Sequence, residues 1–271
     1  MILFSGKLML VSFLMLVVTM IETLAYATRI SGVRVKLMAT AISLFSTMVI
    51  VSRFSTMIQQ PLTAKLLSDA PKDGKLVFVE NEYRLLLVAV SIGVLLGIAL
   101  FPTFIGVFSR AIIQLSRERG SMAALIIKWV NWKGIKTAFH YIRLPHLYDL
   151  KGITFQTIPK RLFAVNVVIT AIYTVGILAA FYASLLVPVE DGPTAVTSSG
   201  IINGIATILL TLFIDPKASV LADRVAKQES SYIYLKSYSL TMVSSKLIGT
   251  LVAQLLVLPA AYYVAWFTRL L

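Results

Sequence analysis

Cysteine is absent from this 271-residue sequence, histidine occurs only twice, and aspartate and glutamate together number 12. Without cysteine there is no disulfide, no thiolate zinc site and no thiol nucleophile. His140 and His146 share one basic connection and lack the His-Glu-x-x-His spacing of a helical metal site. Glu190-Asp191 are the one adjacent acidic pair in a short connection, on the wrong side of the membrane for a nucleotide-sugar transferase. No phosphate-binding loop of the Gly-x-x-x-x-Gly-Lys-Ser/Thr kind occurs. The sequence therefore predicts no enzyme, no metal site and no cofactor.

What is abundant is apolar residue. Hydrophobic side chains make up 58% of the chain, charged ones 14%, and the mean hydropathy is +0.86. Leu85–Phe108, Leu162–Pro188 and Leu247–Thr268 carry no charge at all. Each exceeds the ~20 residues that carry a helix across ~30 Å of hydrocarbon. In lipid the backbone must satisfy its own hydrogen bonds, so such runs are spanning helices; a barrel would alternate in ~10-residue segments. The prediction is an all-α polytopic membrane protein, one transmembrane domain over 1–271. Six helices are expected near 4–27, 37–58, 85–108, 162–187, 200–219 and 241–268, with Pro102 and Pro259 inside two of them. Lys7, the run Leu8–Met20 and Ala25-Tyr26-Ala27 resemble a cleavable signal, but Glu22 just before the cut argues that this helix stays.

The net charge of +13 is read through topology rather than as a nucleic-acid footprint. Arg29, Arg34 and Lys36 fill the first connection, ten basic residues the 109–161 connection, and Lys217, Arg224, Lys227 and Lys236 the fifth. The alternate connections are poorer in basic residues, so both termini are expected outside and the basic connections in the cytoplasm. Between Ser121 and Arg143, Trp129, Trp132, Phe139 and Tyr141 mix with basic residues, the pattern of an amphipathic helix lying in the headgroup plane. It reads either as a basic loop held by anionic lipid or as a vestibule for a lipid substrate. Small residues recur at Gly93/Gly97, Gly200/Gly204 and Ser245/Gly249/Ala253, which lets helices approach closely. Three helices per half would make the halves inverted, yet the sequence alone offers no residue-level match between them.

Ionisable residues at membrane depth are costly and usually face a bundle interior or an aqueous cavity. Here they are Glu22, Arg53, Asp215 and Lys246. Glu22, Tyr26 and Arg29 share a face of helix one, and Ser46, Arg53 and Gln60 share a face of helix two. Two polar stripes suggest one hydrated groove, with Arg34 at its rim; the alternative is a set of ion pairs that only fix the fold. Arg53 lies well past the middle of its helix, at a cost of roughly 2.5–3.5 kcal/mol on insertion scales. It either faces the groove, snorkels outward or pairs with Glu22. Candidate site residues are thus Glu22, Tyr26, Arg29, Arg34, Arg53, Gln60, Asp215 and Lys246.

The stretch Ile21-Glu22-Thr23-Leu24-Ala25-Tyr26-Ala27-Thr28-Arg29-Ile30-Ser31-Gly32-Val33-Arg34 resembles the opening signature of the Amj family of bacterial lipid II flippases. Ser43-Leu44-Phe45 through Val51-Ser52-Arg53 with Ser55-Thr56-Met57, Asp215-Pro216 with Asp223, and Gly249-Thr250-Leu251-Val252-Ala253-Gln254 extend the likeness along the whole chain. Lys246 stands where the resemblance leads one to expect arginine, keeping the charge but not a bidentate fork. The resemblance implies transfer of lipid-linked peptidoglycan precursor from the inner to the outer leaflet of the bacterial cytoplasmic membrane; membrane lipids are the other expected partners, and the sequence leaves a homo-oligomer open. Moving about two negative charges out of an inside-negative cell is downhill by about 4–5 kcal/mol per 100 mV. Two further readings stay open: a scaffold for envelope enzymes, whose deep charges would pair with one another, and an ion-coupled small-solute transporter, which would favour embedded carboxylates. If the charge asymmetry sets topology, an impermeant maleimide applied outside cells will label Thr194→Cys and leave His140→Cys unlabelled.

Overall fold

A computed structural model describes residues 6–71, 73–129, 143, 145, 152–154 and 157–270. Six helical segments in it are long and apolar enough to cross a membrane: Gly6–Val35, Met38–Ser68, Lys75–Arg117, Lys160–Ala183, Val189–Ala226 and Tyr232–Thr268. The first is α1 (Gly6–Ala25) continued by α2 (Ala27–Val35), followed by α3 (Met38–Ser68), α4 (Lys75–Arg117) and the short α5 (Met122–Trp129). The second half holds α6 (Lys160–Ala183), α7 (Gly192–Leu209), a π-helical turn at Leu210–Ile214, α8 (Asp215–Ala226) and α9 (Tyr232–Thr268). Most of the expected interfacial helix over 121–143 lies outside the described residues, and α5 covers its beginning.

Local chemistry sets the breaks. Lys36 adopts the left-handed conformation at φ 59°, and Leu37 N–H donates to Gly32 C=O at 3.0 Å, a Schellman-type stop that turns the chain into α3. α4 closes the same way: Arg119 is left-handed at φ 52°, and Gly120 N–H donates to Leu115 C=O at 2.9 Å. Ser231 Oγ accepts from Ile233 N–H at 3.3 Å and caps α9.

Several helices outrun their apolar cores. The second was expected to stop near 58 and the third to begin near 85; instead α3 runs through Pro61 to Ser68 and α4 starts at Lys75. Burial explains the extension. Leu66, Val79 and Tyr83 from this polar hairpin join Leu8, Val11 and Ala261 in one core cluster, so packing overrides composition. Lys7 and Asp69 pair across the same end. At 43 residues, α4 is about 64 Å long, twice the hydrocarbon thickness.

Helix pairing follows the small residues. The closest partners are α1 with α4 and α6 with α9, while α3 and α7 lie at the periphery and scarcely meet. A Cβ at Gly97 would sit 2.7 Å from Thr23 Cβ, and one at Gly249 would sit 2.6 Å from Thr170 Cβ. Gly200 and Gly204 have no such neighbour within 4 Å. Packing of this kind drives association where lipid removes the hydrophobic effect. Gly249→Val is expected to cost about 1–3 kcal/mol or more by overpacking, whereas Gly200→Ala stays within about 0.5 kcal/mol; thermal unfolding in detergent measures both.

Candidate functional site

The C-terminal ends of α2, α4 and α8 and the N-terminal ends of α3, α6 and α9 lie at one end of the bundle, called here the basic end. Between that end and the other, a cavity of about 130 Å³ occupies the centre. Its walls come from both halves: Thr19 and Glu22 of α1, Tyr26 at the α1–α2 junction, Phe45, Arg53, Thr56 and Gln59 of α3, Asn166 and Tyr173 of α6, Thr207 of α7 and Lys246 of α9. Backbone geometry makes this convergence. The tight α1–α4 and α6–α9 pairs bring α1 and α6 to the middle, and α3 and α7 flank the space without packing on each other.

Charge at the centre is compensated inside the protein. Lys246 Nζ donates to Glu22 Oε2 at 2.8 Å, and Ser52 Oγ donates to Glu22 Oε1. Lys246 is 8% exposed, so the ion pair is its electrostatic environment rather than a surface contact. Arg53 lines the same cavity yet is an exposed residue, which places it at the mouth. It lies within Coulombic range of Glu22 but makes no hydrogen bond to it among the described residues. Asn166 Nδ2 donates to Ser245 Oγ at 2.7 Å and to Met242 C=O at 3.3 Å, which fixes that amide beside Lys246.

A second charged layer lies toward the basic end. Arg29, 3% exposed, donates from Nη2 to Asp215 Oδ1 at 3.0 Å, and its Cζ sits 4.3 Å from the centroid of the Phe45 ring. Tyr26 packs against the same ring with centroids 6.2 Å apart. Tyr238 Oη donates to Ile214 C=O at 3.1 Å, in the π-helical turn just before Asp215. Tyr26, Phe45, Arg29 and Asp215 thus form a continuous plug between the cavity and the basic end.

The eight sequence candidates separate accordingly. Glu22, Tyr26, Arg53 and Lys246 come together around the cavity. Arg29 and Asp215 meet each other in the plug, 186 residues apart in sequence, and do not line the cavity. Arg34 is exposed on α2 at the basic end. Gln60 is not a lining residue; its neighbour Gln59 is, at 3% exposure. The inward stripe of α3 runs Phe45, Val49, Ser52, Thr56 and Gln59, one residue off the Ser46–Arg53–Gln60 face read from spacing. Ser52, Asn166 and Tyr173 were not selected from sequence. Asn166 did leave a signal, as the one carboxamide in the uncharged run Leu162–Pro188.

These features define a multi-pass helical membrane protein whose embedded charge is gathered inside the bundle. The chain belongs to the Amj family, described as "Alternate to MurJ", whose profile matches residues 14–268. It is 53% identical over 255 residues to the lipid II flippase Amj of Bacillus subtilis (strain 168), covering 94% of each chain. No solved structure matches it.

The two ion pairs differ from surface bridges in what their loss leaves behind. Asp215→Asn strands the buried Arg29 and is expected to cost about 3–5 kcal/mol, while Glu80→Gln at the more exposed Arg84 pair costs under about 1 kcal/mol. Thermal unfolding of the two variants in detergent tests the difference.

Proposed function

We propose that this chain is a lipid II flippase, a transporter rather than an enzyme, in the bacterial cytoplasmic membrane, with the basic end in the cytoplasm and both termini outside. The observation that carries the reading is the cavity at mid-bundle, holding Glu22, Arg53 and Lys246 and flanked by two peripheral helices that do not close on each other. A relative 53% identical over nearly its full length bears the name lipid II flippase, which supplies the substrate class. The pyrophosphate of such a substrate is an anion and needs fixed positive charge along its path.

Arg53 is the first cation an entering headgroup meets in this reading, because it stands at the mouth, unbonded to Glu22. Lys246 is the second, held by Glu22 until an incoming phosphate competes for it. Glu22 then serves as an internal anion that neutralises the buried Lys246 in the empty site and leaves the positive charge of Arg53 at the mouth, which lowers the cost of a vacant cationic site. The polyprenyl tail remains in lipid beside α3 and α7. A cavity of about 130 Å³ has room for a handful of water molecules and not for a disaccharide-pentapeptide. Passage therefore requires α3 and α7 to swing outward on α1 and α6 and widen the space between them. Their exposed outer faces, which carry Phe54, Met57, Ile205 and Ile208, have no protein partner among the described residues to lose in that movement. The pairing of deep charges is also what a scaffold would show, but a scaffold has no use for an arginine that stands at the mouth of a polar cavity without a hydrogen bond to its carboxylate.

The deciding experiment reconstitutes the purified protein in liposomes containing lipid II and asks whether an outside probe reaches lipid II from the inner leaflet. Acceleration over protein-free liposomes supports the reading; none, with the protein folded, defeats it. Arg53→Ala is expected to stay folded, since it leaves no buried partner stranded, and to lower the transfer rate at least ten-fold. Arg53→Lys retains part of the rate if charge suffices and loses it if a planar fork on pyrophosphate is needed.

A further inference from the structure

The first and third spans of the two halves meet at corresponding positions. In the first, a Cβ at Gly93 of α4 would lie 2.5 Å from Thr19 Oγ1 of α1, and one at Gly97 would lie 2.7 Å from Thr23 Cβ. In the second, Ser245 Oγ of α9 receives the 2.7 Å hydrogen bond of Asn166 on α6, and a Cβ at Gly249 would lie 2.6 Å from Thr170 Cβ. Each half therefore joins its first and third spans at two contacts one helical turn apart, with the helices running in the same direction. Thr19 corresponds to Asn166, Thr23 to Thr170, Gly93 to Ser245 and Gly97 to Gly249, with constant spacing along both helices. Carrying the register three residues further aligns Tyr26 with Tyr173, and both line the cavity. The middle span of each half, α3 or α7–α8, is the peripheral and least buried one. Because each half has three spans, the halves sit in the membrane with opposite orientation.

We propose that the chain is an inverted repeat of two three-span units, and that Tyr26 and Tyr173 are equivalent gates at opposite ends of the cavity that open alternately. Tyr26 is level with Phe45 on α3. Tyr173 is level with Thr56 on the same helix, about 16 Å further along it. Glu22, Arg53 and Lys246 lie between the two levels. The charges break the repeat, since the same register puts Ile169 opposite Glu22 and Val94 opposite Lys246. In the state seen here the Tyr26 gate is shut and backed by the buried Arg29–Asp215 pair, whereas Tyr173 is only half-buried and, among the described residues, is backed by apolar side chains such as Met15, Val90 and Ile177 rather than by an ion pair. Exchange of conformation between the two units moves the seal from one end of the cavity to the other.

The transport reading is assumed in giving the gates a task, but the test does not depend on it. The chain has no cysteine, so single cysteines at the two gates report access directly. Tyr26→Cys and Tyr173→Cys are labelled in oriented membranes with an impermeant maleimide from each face, with and without Asp215→Asn to weaken the basic-end seal. The expected result is reciprocal: labelling of position 26 from the basic face rises several-fold and labelling of position 173 from the other face falls several-fold. Asp215→Glu keeps the charge of the pair and serves where Asp215→Asn does not fold; it should shift both rates in the same directions by less. A rise at position 26 with no change or a rise at position 173 would overturn the coupled gates. Reciprocal labelling without lipid II transfer in liposomes would keep the gates and count against the proposed substrate.

Discussion

Glu22 is the carboxylate on which the middle of this bundle depends. It comes from α1, neutralises Lys246 from α9 and accepts from Ser52 on α3, so one side chain ties three helices and both halves of the chain. In hydrocarbon a lone lysine or glutamate at this depth would be costly, and neither can find its partner in lipid. The surrounding walls are built to hold that pair without filling the space beside it. Thr19, Thr56, Gln59, Asn166 and Tyr173 keep the cavity polar, while the tight α1–α4 and α6–α9 contacts set its shape.

Stability and openness are divided between elements. The α1–α4 and α6–α9 pairs are rigid because glycine and threonine let their backbones close to contact distance. The peripheral α3 and α7 pack on one side only, α3 against α1 and α2 and α7 against α6, and carry exposed isoleucine, phenylalanine and methionine side chains on the other. Low contact density marks the elements from which moving parts are drawn. The π-helical turn at Leu210–Ile214 has the same character, since such turns interrupt regular hydrogen bonding and often sit at functional positions. Here it places Asp215 against Arg29 from across the bundle.

Helix number and the identity of the embedded charges were legible in the sequence because both follow from the bilayer. Long uncharged runs mark spans, and any ionisable residue within them stands out. The ends of the helices were not legible: residues 59–68 and 75–84 are polar enough to read as a loop, and the packing of Leu66, Val79 and Tyr83 with Leu8 and Val11 in one cluster accounts for their being helical. Pairing was partly hidden as well. Periodicity grouped Glu22 with Arg29 on one face, but the irregularity at Tyr26 and the approach of Asp215 send Arg29 into a separate layer. The repeat escaped because equivalent positions carry different residues, Thr19 against Asn166 and Gly93 against Ser245; they share a geometric role and not a side chain.

The partners in these ion pairs are far apart in time as well as in sequence. Glu22 and Lys246 are separated by 224 residues, so at bacterial or eukaryotic elongation rates the ribosome reaches Lys246 about 10–45 s after Glu22. Asp215 follows Arg29 with a similar delay. During that interval the nascent first half holds a glutamate and an arginine whose final counter-ions do not yet exist, with Ser52 and Arg53 as the nearest polar company for Glu22. Biogenesis is therefore cooperative across the whole chain: the first three spans cannot reach their final electrostatic state until the sixth has entered the bilayer, and a truncated product is left with stranded charge that membrane quality control can recognise.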